Sequence, residues 1–347
     1  MFRQRANGAR NCSELKRVQH LLLKIPRNEG LSAHRFLQLI AHSKADSTLT
    51  LYLHEFRHFL SWCSAGNVDA LPASSATVAA YLASRLQRAG SKSTVEAAQA
   101  AICFFHDLGG VVPNPARTMY CRALCESARR ILPSAGKQKA ALPISGLRKV
   151  LTVLLASAAP QLRDLRLVCL LVIMYHGFCR ISETLAIRKR DVEWHSDCIV
   201  LQLQRAKGNS YRQSRSTVIG RTKGQFCPFS LIRLYWKELQ MDSLEGDHPL
   251  FPRLRKARNS RKHTSASVPV SPASLRSAWK TAFEAAGLAS AGYSFHSCRS
   301  GGASEALKRG CPVERVMKHG RWASYSAFSK YWDEPPRSRA EVANFSG

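Results

Sequence analysis

The sequence predicts a mainly α chain with a small antiparallel β-sheet, an α+β fold in two parts, and three observations predict it. Apolar residues recur at helical spacing along most of the stretch from Ser47 onward. The period drops to two once, around Cys198–Gly220, as it does where strands replace helices. Between the periodic regions lies LPSAGKQKAALP (132–143), polar, bounded by Gly and Pro and without apolar periodicity, the composition of a linker. A chain of 347 residues holds two domains of roughly 100–200 residues each. The expected division is a basic, loosely ordered arm (1–30), a helical domain (31–133), a linker (134–143) and a second domain (144–347).

In the first domain the run STLTLYLHEFRHFLSWC places Leu51, Leu53, Phe56, Phe59, Leu60 and Trp62 mostly along one stripe, and Gly66 ends that helix. PASSAT is a Ser-rich start signal for a second helix over Val78–Ala89, closed near Gly90. A third opens at Ser93 or Thr94 and carries Ala97, Ala101, Ile102 and Phe105, and a fourth follows Pro115 and runs to about Leu132. Four or five helices joined by short loops make a small helical bundle.

In the second domain, Cys198–Gln204 and Gln213–Gly220 alternate as strands do around a polar turn at Lys207–Tyr211. Helical patterns return at 228–240, 271–288, 295–309, 312–319 and 324–332. The stretch Arg253–His263 (RLRKARNSRKH) holds six Lys/Arg and no acid, as an exposed basic loop does. A solvated surface, a nuclear-import signal and direct DNA contact all remain open for it.

Composition narrows the partners. With 52 Lys+Arg against 23 Asp+Glu the formal charge is +29, an imbalance that repels itself in the folded state and points to a polyanionic partner. The basic residues are spread over the chain rather than stacked on one amphipathic helix, which favours nucleic acid over a membrane surface. The longest apolar run, Leu167–Tyr175, is too short for a bilayer about 20 residues deep, and MFRQRANGARNCSELKR lacks the apolar core of a secretory signal. Eleven cysteines are scattered, and the closest pair, Cys121 and Cys125, is i,i+4 without a second pair at zinc spacing. A soluble, intracellular protein with reduced thiols is expected, in the nucleus of a eukaryote or the cytoplasm of a prokaryote.

Four segments hold residues that could do chemistry. In GFCRISETLAIRKRDV (177–192), Arg180 is flanked by apolar residues that draw it inward, and a buried arginine needs an anion. Glu183 and a bound phosphate both fit. In QRAKGNSY (204–211), Lys207 sits at a hairpin tip, where lysines are usually just solvated. In YSFHSCRSGGASEAL, His296 and Arg299 are i,i+3 and share a helix face, a spacing that a structural histidine also satisfies. In PVERVMKHGRWASYSAFSKYWD, Trp322 and Tyr331 are nine residues apart, and a tyrosine in such a place is usually structural.

Taken together and in order, these segments resemble the tyrosine recombinases, or lambda-type integrases, over about 290 residues from Ser47 to Trp332. The family pattern is an Arg in a G-x-x-R-x-S-E-like segment, a Lys on a β-hairpin, an H-x-x-R helix, a His or Trp, and a Tyr. Here Arg180, Lys207, His296, Arg299, Trp322 and Tyr331 fill those slots, with 27 residues from Arg180 to Lys207, 23 from Arg299 to Trp322 and 9 from Trp322 to Tyr331. The GRWAS segment looks like that of eukaryotic DIRS-like and Crypton-like mobile-element recombinases. Cys298 stands where a larger apolar residue is commoner in the family.

The resemblance implies a helical, SAM-like core-binding domain followed by a tyrosine recombinase catalytic domain. It implies phosphoryl transfer from DNA to the Tyr331 hydroxyl, with no metal, nucleotide or other cofactor. Arg180 and Arg299 would meet the charge growing on the non-bridging phosphate oxygens, since guanidinium forks bind two oxygens in fixed geometry. His296 and the Trp322 indole would add hydrogen bonds, with His296 the candidate general base, Lys207 the candidate general acid and Glu183 in support. A covalent 3′-phosphotyrosyl link would conserve the bond energy for rejoining. The implied partner is double-stranded DNA, met by four protomers on two sites, although WDEPPRSRAEVANFSG after Tyr331 offers little for a long docking helix. Arg205, Arg212, Arg215, Arg253, Arg255, Lys256 and Arg258 are the candidate DNA contacts.

Three other readings compete. A metal-dependent transposase or nuclease needs clustered carboxylates, and acids are sparse here. A type IB topoisomerase-like enzyme would nick and reseal with the same kind of site. A non-catalytic DNA-binding descendant would be expected to have lost one of the slots, and none is lost.

Overall fold

The computed structural model describes residues 43–133, 139–158, 160–203, 215–256 and 263–331, and the chain divides into two units, Met1–Lys137 and Gln138–Gly347. No helix among the described residues is long and apolar enough to cross a membrane.

Among the described residues the first unit has four α-helices, α1 (Asp46–Ala65), α2 (Ser75–Arg88), α3 (Lys92–Leu108) and α4 (Met119–Ile131), with a 3₁₀ turn at Pro115–Arg117 before α4. Ser74 caps α2 by accepting the Thr77 amide at 3.0 Å, as the PASSAT signal predicts. The buried stripe of α1 runs Leu49, Leu53, Phe56, Phe59 and Cys63, at the three- and four-residue spacing of one helix face. Leu51, expected on that stripe, lies on the other side of the helix and is 44% exposed. Phe56 stacks on Phe105 of α3 with ring centroids 4.2 Å apart. Cys121 and Cys125 of α4 are buried in the same core, where i,i+4 spacing makes them apolar filling.

The second unit is organised around α6. Helix α5 (Ile144–Leu154) precedes α6 (Leu162–His176), which is buried without a break from Leu165 to Tyr175. Such all-round burial explains why this helix shows as an apolar run rather than a stripe. The one-turn helix α7 (Ile181–Thr184) leads to a three-stranded antiparallel sheet, β1 (Val192–Trp194), β2 (Cys198–Leu203) and β3 (Arg215–Gly220), with β2 in the middle. Then follow α8 (Pro228–Glu238), a second antiparallel pair, β4 (Pro252–Lys256) and β5 (His263–Pro269), and helices α9 (Pro272–Ala285), α10 (Phe295–Lys308), α11 (Val313–Gly320) and α12 (Tyr325–Phe328). A final 3₁₀ turn, Ser329–Tyr331, carries the tyrosine.

Two expectations change. Of the stretch Arg253–His263, expected as a basic loop, Arg253–Lys256 lie in strand β4 and His263 opens β5, paired through Lys256↔His263, while 257–262 lie outside the described residues. The run of charged residues hid the alternation that signals a strand. Residues 139–143, expected as linker, pack onto the second unit. The Ala140 amide donates to the Gly292 carbonyl and the Leu142 amide to the Ser297 carbonyl, and Leu142 is fully buried. One apolar anchor in a polar segment is invisible to a periodicity test. The expected turn at Lys207–Tyr211 lies outside the described residues, as do 1–42.

Candidate active site

The site is assembled where α6 ends. Gly177 caps α6: its amide still donates to the Ile173 carbonyl at 2.9 Å, and a side-chain carbon there would crowd the same oxygen at 2.8 Å, which favours glycine. Phe178 then takes a left-handed backbone conformation, φ 46°, which costs a non-glycine residue about 1–2 kcal/mol. That conformation sends the chain into a short strap, 177–179, and delivers Arg180 to the N-cap of α7. Glu183, three residues on, folds back over the cap. Its Oε2 accepts the Arg180 backbone amide at 2.8 Å, and its Oε1 accepts the Arg180 guanidinium at 2.6 Å. Glu183, one of the two partners the sequence offered Arg180, is thus in direct contact with it. The Arg180 side chain keeps 20% of its surface in solvent, whereas that of Glu183 has none.

Helix α10 supplies the next two residues. It approaches α6 and the 139–143 segment closely enough that a side-chain carbon at Gly301 would sit 2.0 Å from the Leu142 carbonyl oxygen, and one at Gly302 2.0 Å from that of Tyr175. Through that approach Arg299 becomes wholly buried. Its Nη1 donates to the Phe178 carbonyl at 2.5 Å and its Nη2 to the Gly320 carbonyl at 2.6 Å, while Glu183 Oε2 lies 3.8 Å from Nη1. The guanidinium fork expected to embrace a phosphate is therefore engaged with two backbone carbonyls. His296, one turn earlier, remains exposed.

Helix α11 ends in a second left-handed residue, Arg321, at φ 61°. Trp322 then folds back over Gly320, so closely that a side-chain carbon there would overlap the indole at 1.6 Å. The indole covers Arg299, whose guanidinium carbon is 4.1 Å from the ring centroid, in cation–π contact. Phe178, Ala303, Val316, Trp322 and Phe328 form a small apolar cluster beneath the site, with Tyr331 packed against it. The Tyr331 ring lies 4.8 Å from the His296 ring, 5.2 Å from the Trp322 ring and 5.6 Å from the Arg299 guanidinium. Ser304 of α10 donates to the Tyr331 carbonyl at 3.2 Å and holds the last turn down. Tyr325, by contrast, is 60% exposed.

Arg180, Glu183, His296, Arg299, Trp322 and Tyr331 are thus gathered in one place. Lys207 lies outside the described residues. Of the candidate DNA contacts, Arg253 is exposed on β4, only the backbone is described for Arg215, Arg255 and Lys256, and Arg205, Arg212 and Arg258 lie outside the described residues. Two residues went unnoticed in the sequence. Thr217 on β3 donates to the Gly177 carbonyl at 3.0 Å and so ties the β2–β3 hairpin to the strap. Arg321 reaches Glu183 Oε2 at 3.2 Å. Neither carries a signal of its own: a threonine in a strand and an arginine in a basic chain are both commonplace.

The electrostatics follow from three arginines around one carboxylate. Burial alone pushes the Glu183 carboxyl up, but the Arg180 amide and the Arg321 and Arg180 guanidiniums outweigh it and hold the carboxyl below its usual range. Burial pulls Arg299 down to about 10, with Arg180 pulling the same way and Glu183 opposing, so Arg299 is charged at neutral pH. Arg299 Nε, Arg321 Nε and Trp322 Nε1 are buried without a hydrogen-bond partner among the described residues, a costly state for a donor. Such a set, N–H donors and cations around an already shared carboxylate, suits an anion.

A model of the phage integrase family matches residues 147–336. An integrase/recombinase XerD homolog of Selenomonas ruminantium is 23% identical over 314 residues, covering 90% of this chain and 88% of that protein. Among solved structures, the XerH site-specific recombinase bound to palindromic difH substrate, a post-cleavage complex, is similar at a TM-score of 0.60 and 16% identity, over 99% of this chain and 89% of that one. A lambda integrase (75–356) dimer bound to a COC′ core site is similar at a TM-score of 0.54 and 13% identity, over 94% of this chain and 96% of that one.

Proposed function

This chain belongs to the phage integrase family, the tyrosine recombinases, and we propose that it breaks and rejoins double-stranded DNA through a covalent link from Tyr331 to a 3′ phosphate. The observation that carries this reading is the packing of the Tyr331 ring onto His296, Trp322 and the Arg299 guanidinium, beside buried N–H groups that have no partner among the described residues. A phosphodiester gathers negative charge on its non-bridging oxygens as attack proceeds, and fixed donors stabilise it most where water is excluded. Arg180, whose side chain is 20% exposed, and the Trp322 indole N–H are the groups left to meet those oxygens. Arg299, tied to two carbonyls, contributes its charge and its Nε.

In the first step the Tyr331 oxygen bonds to phosphorus, and the bond from phosphorus to the 5′ oxygen breaks. His296 takes the phenolic proton, and Lys207 supplies one to the departing 5′ oxygen. Attack by a 5′ hydroxyl on the phosphotyrosyl link runs the step backwards and restores the DNA backbone, so neither a metal nor a nucleotide is consumed. The DNA-bound relatives support the choice of partner. A mobile-element role and a four-protomer assembly on two sites belong to the same proposal.

The test is covalent capture on a library of nicked, randomised duplexes. The unaltered protein should yield an adduct that survives denaturation, while Tyr331→Phe yields none and keeps its DNA affinity. Arg180→Ala should slow adduct formation about 100-fold or more with little loss of binding. An adduct that persists in Tyr331→Phe would sink the assignment, with Tyr325 the next residue to examine.

A further inference from the structure

We propose that Arg321 is a positioning residue of this site, fixing Glu183 and the 177–179 strap so that Arg180 and Arg299 hold their places. The inference rests on reading the site as a strand-cleaving centre. Arg321 is buried, and its guanidinium is almost fully engaged. Nη1 donates to the carbonyls of Gly177 at 3.2 Å and His319 at 2.9 Å. Nη2 donates to the Phe178 carbonyl at 3.1 Å, to Cys179 Sγ at 3.6 Å and to Glu183 Oε2 at 3.2 Å. Every residue of the strap is therefore held by one side chain. The same Phe178 carbonyl also accepts from Arg299, and the same Glu183 carboxylate also accepts from Arg180. Arg321 touches the partners of both arginines.

The backbone supports the reading. Arg321 holds a left-handed conformation that favours glycine, and the strap opposite it contains the other strained residue of the site, Phe178. Strain of this kind persists where the surroundings over-determine it. Moreover, Arg321 sits between Gly320, whose carbonyl holds Arg299, and Trp322, which covers Arg299. Lysine could restore the charge, but its single ammonium cannot serve acceptors on both sides of a planar fork.

A purely structural arginine and a positioning one make different predictions. Replacing a buried ion pair by apolar groups is often tolerated in stability. Here, however, the charges facing Glu183 are Arg180 from the strap and α7, Arg299 from α10 and Arg321 from the end of α11. The neighbouring Cys179 thiol is raised by burial to about 11 and stays neutral throughout the working range. Without Arg321 the burial of Glu183 is less well opposed, so its carboxyl rises. On acidification it then protonates earlier and releases Arg180. The acid limb of the cleavage profile should move to higher pH.

The experiment uses the full chain and a nicked duplex selected from a randomised library by covalent capture with the unaltered protein. Arg321→Met should slow adduct formation at least tenfold at neutral pH, change DNA affinity less than threefold, and shift the acid limb upward. Arg321→Lys should restore the position of that limb and only part of the rate. In a Glu183→Gln background, Arg321→Met should add little. An unshifted acid limb in Arg321→Met, or losses that simply multiply in the double variant, would overturn the proposal while leaving a Tyr331-dependent adduct intact. Absence of any Tyr331-dependent adduct in the unaltered protein would overturn the site reading and this inference together.

Discussion

At the scale of single residues, Glu183 is the hub of the site, because one carboxylate neutralises parts of three arginines that would otherwise repel one another. Removing one partner of a buried ion pair costs about 3–5 kcal/mol, since the remaining charge stays buried and unpaired. Glu183→Gln should therefore lower the melting temperature near neutral pH. The pH dependence has a definite sign. The folded carboxyl lies below its usual range, so its contribution is fully present above the ordinary glutamate pKa and fades only as pH falls through the lower folded value. Melting curves of the two proteins should differ most at neutral pH and converge in the acid range below that. A constant difference across pH would mean that the Glu183 charge does not matter. The pairing of Arg180 with Glu183 was within reach of the sequence, being i,i+3 across a cap. Arg321 was not, because only its left-handed backbone turns an ordinary basic residue inward.

At the scale of elements, the site depends on how closely α10 can approach α6. The SGGAS run after Arg299 consists of small residues, and the structure shows what they permit. A side-chain carbon at Gly302 would press on the Tyr175 carbonyl oxygen and the Phe178 ring, and backbone cannot move aside as a flexible side chain can. Gly302→Ala should destabilise the second unit by about 1–3 kcal/mol, the usual cost of overpacking. It should also slow adduct formation by loosening the bond from Arg299 to the Phe178 carbonyl. Thermal melting and covalent capture on one preparation check both; unchanged melting and capture would mean α10 has room to spare. The helices were legible because their periodicity survives in sequence, and the β2–β3 hairpin because it alternates. Strand β4 was hidden by its own charges, β1 is only three residues long, and the docking of 139–143 rests on the single anchor Leu142.

At the scale of the whole molecule, a formal charge of +29 is far more than six site residues need. The surplus has a use if the protein must hold a polyanion wherever the site lies along it. Binding of that kind is driven by release of the counterions that phosphates condense, so it weakens steeply with salt and hardly with sequence. Chemistry inside the site should be far less sensitive, because Glu183, Arg299 and Trp322 are buried and screening acts mainly on exposed charges. The two dependences should therefore separate. With 6–10 phosphate contacts, affinity for a duplex should fall about 10³–10⁵-fold between 50 and 200 mM salt. The single-turnover rate of adduct formation at saturating protein should change only a few-fold over the same range. Arg253, exposed on β4, offers a local check. If it meets a phosphate, Arg253→Gln should reduce the slope of log affinity against log salt by about 0.9 and leave the saturated rate alone. A saturated rate that falls as steeply as affinity would instead place screened, solvent-facing charges at the heart of the reaction.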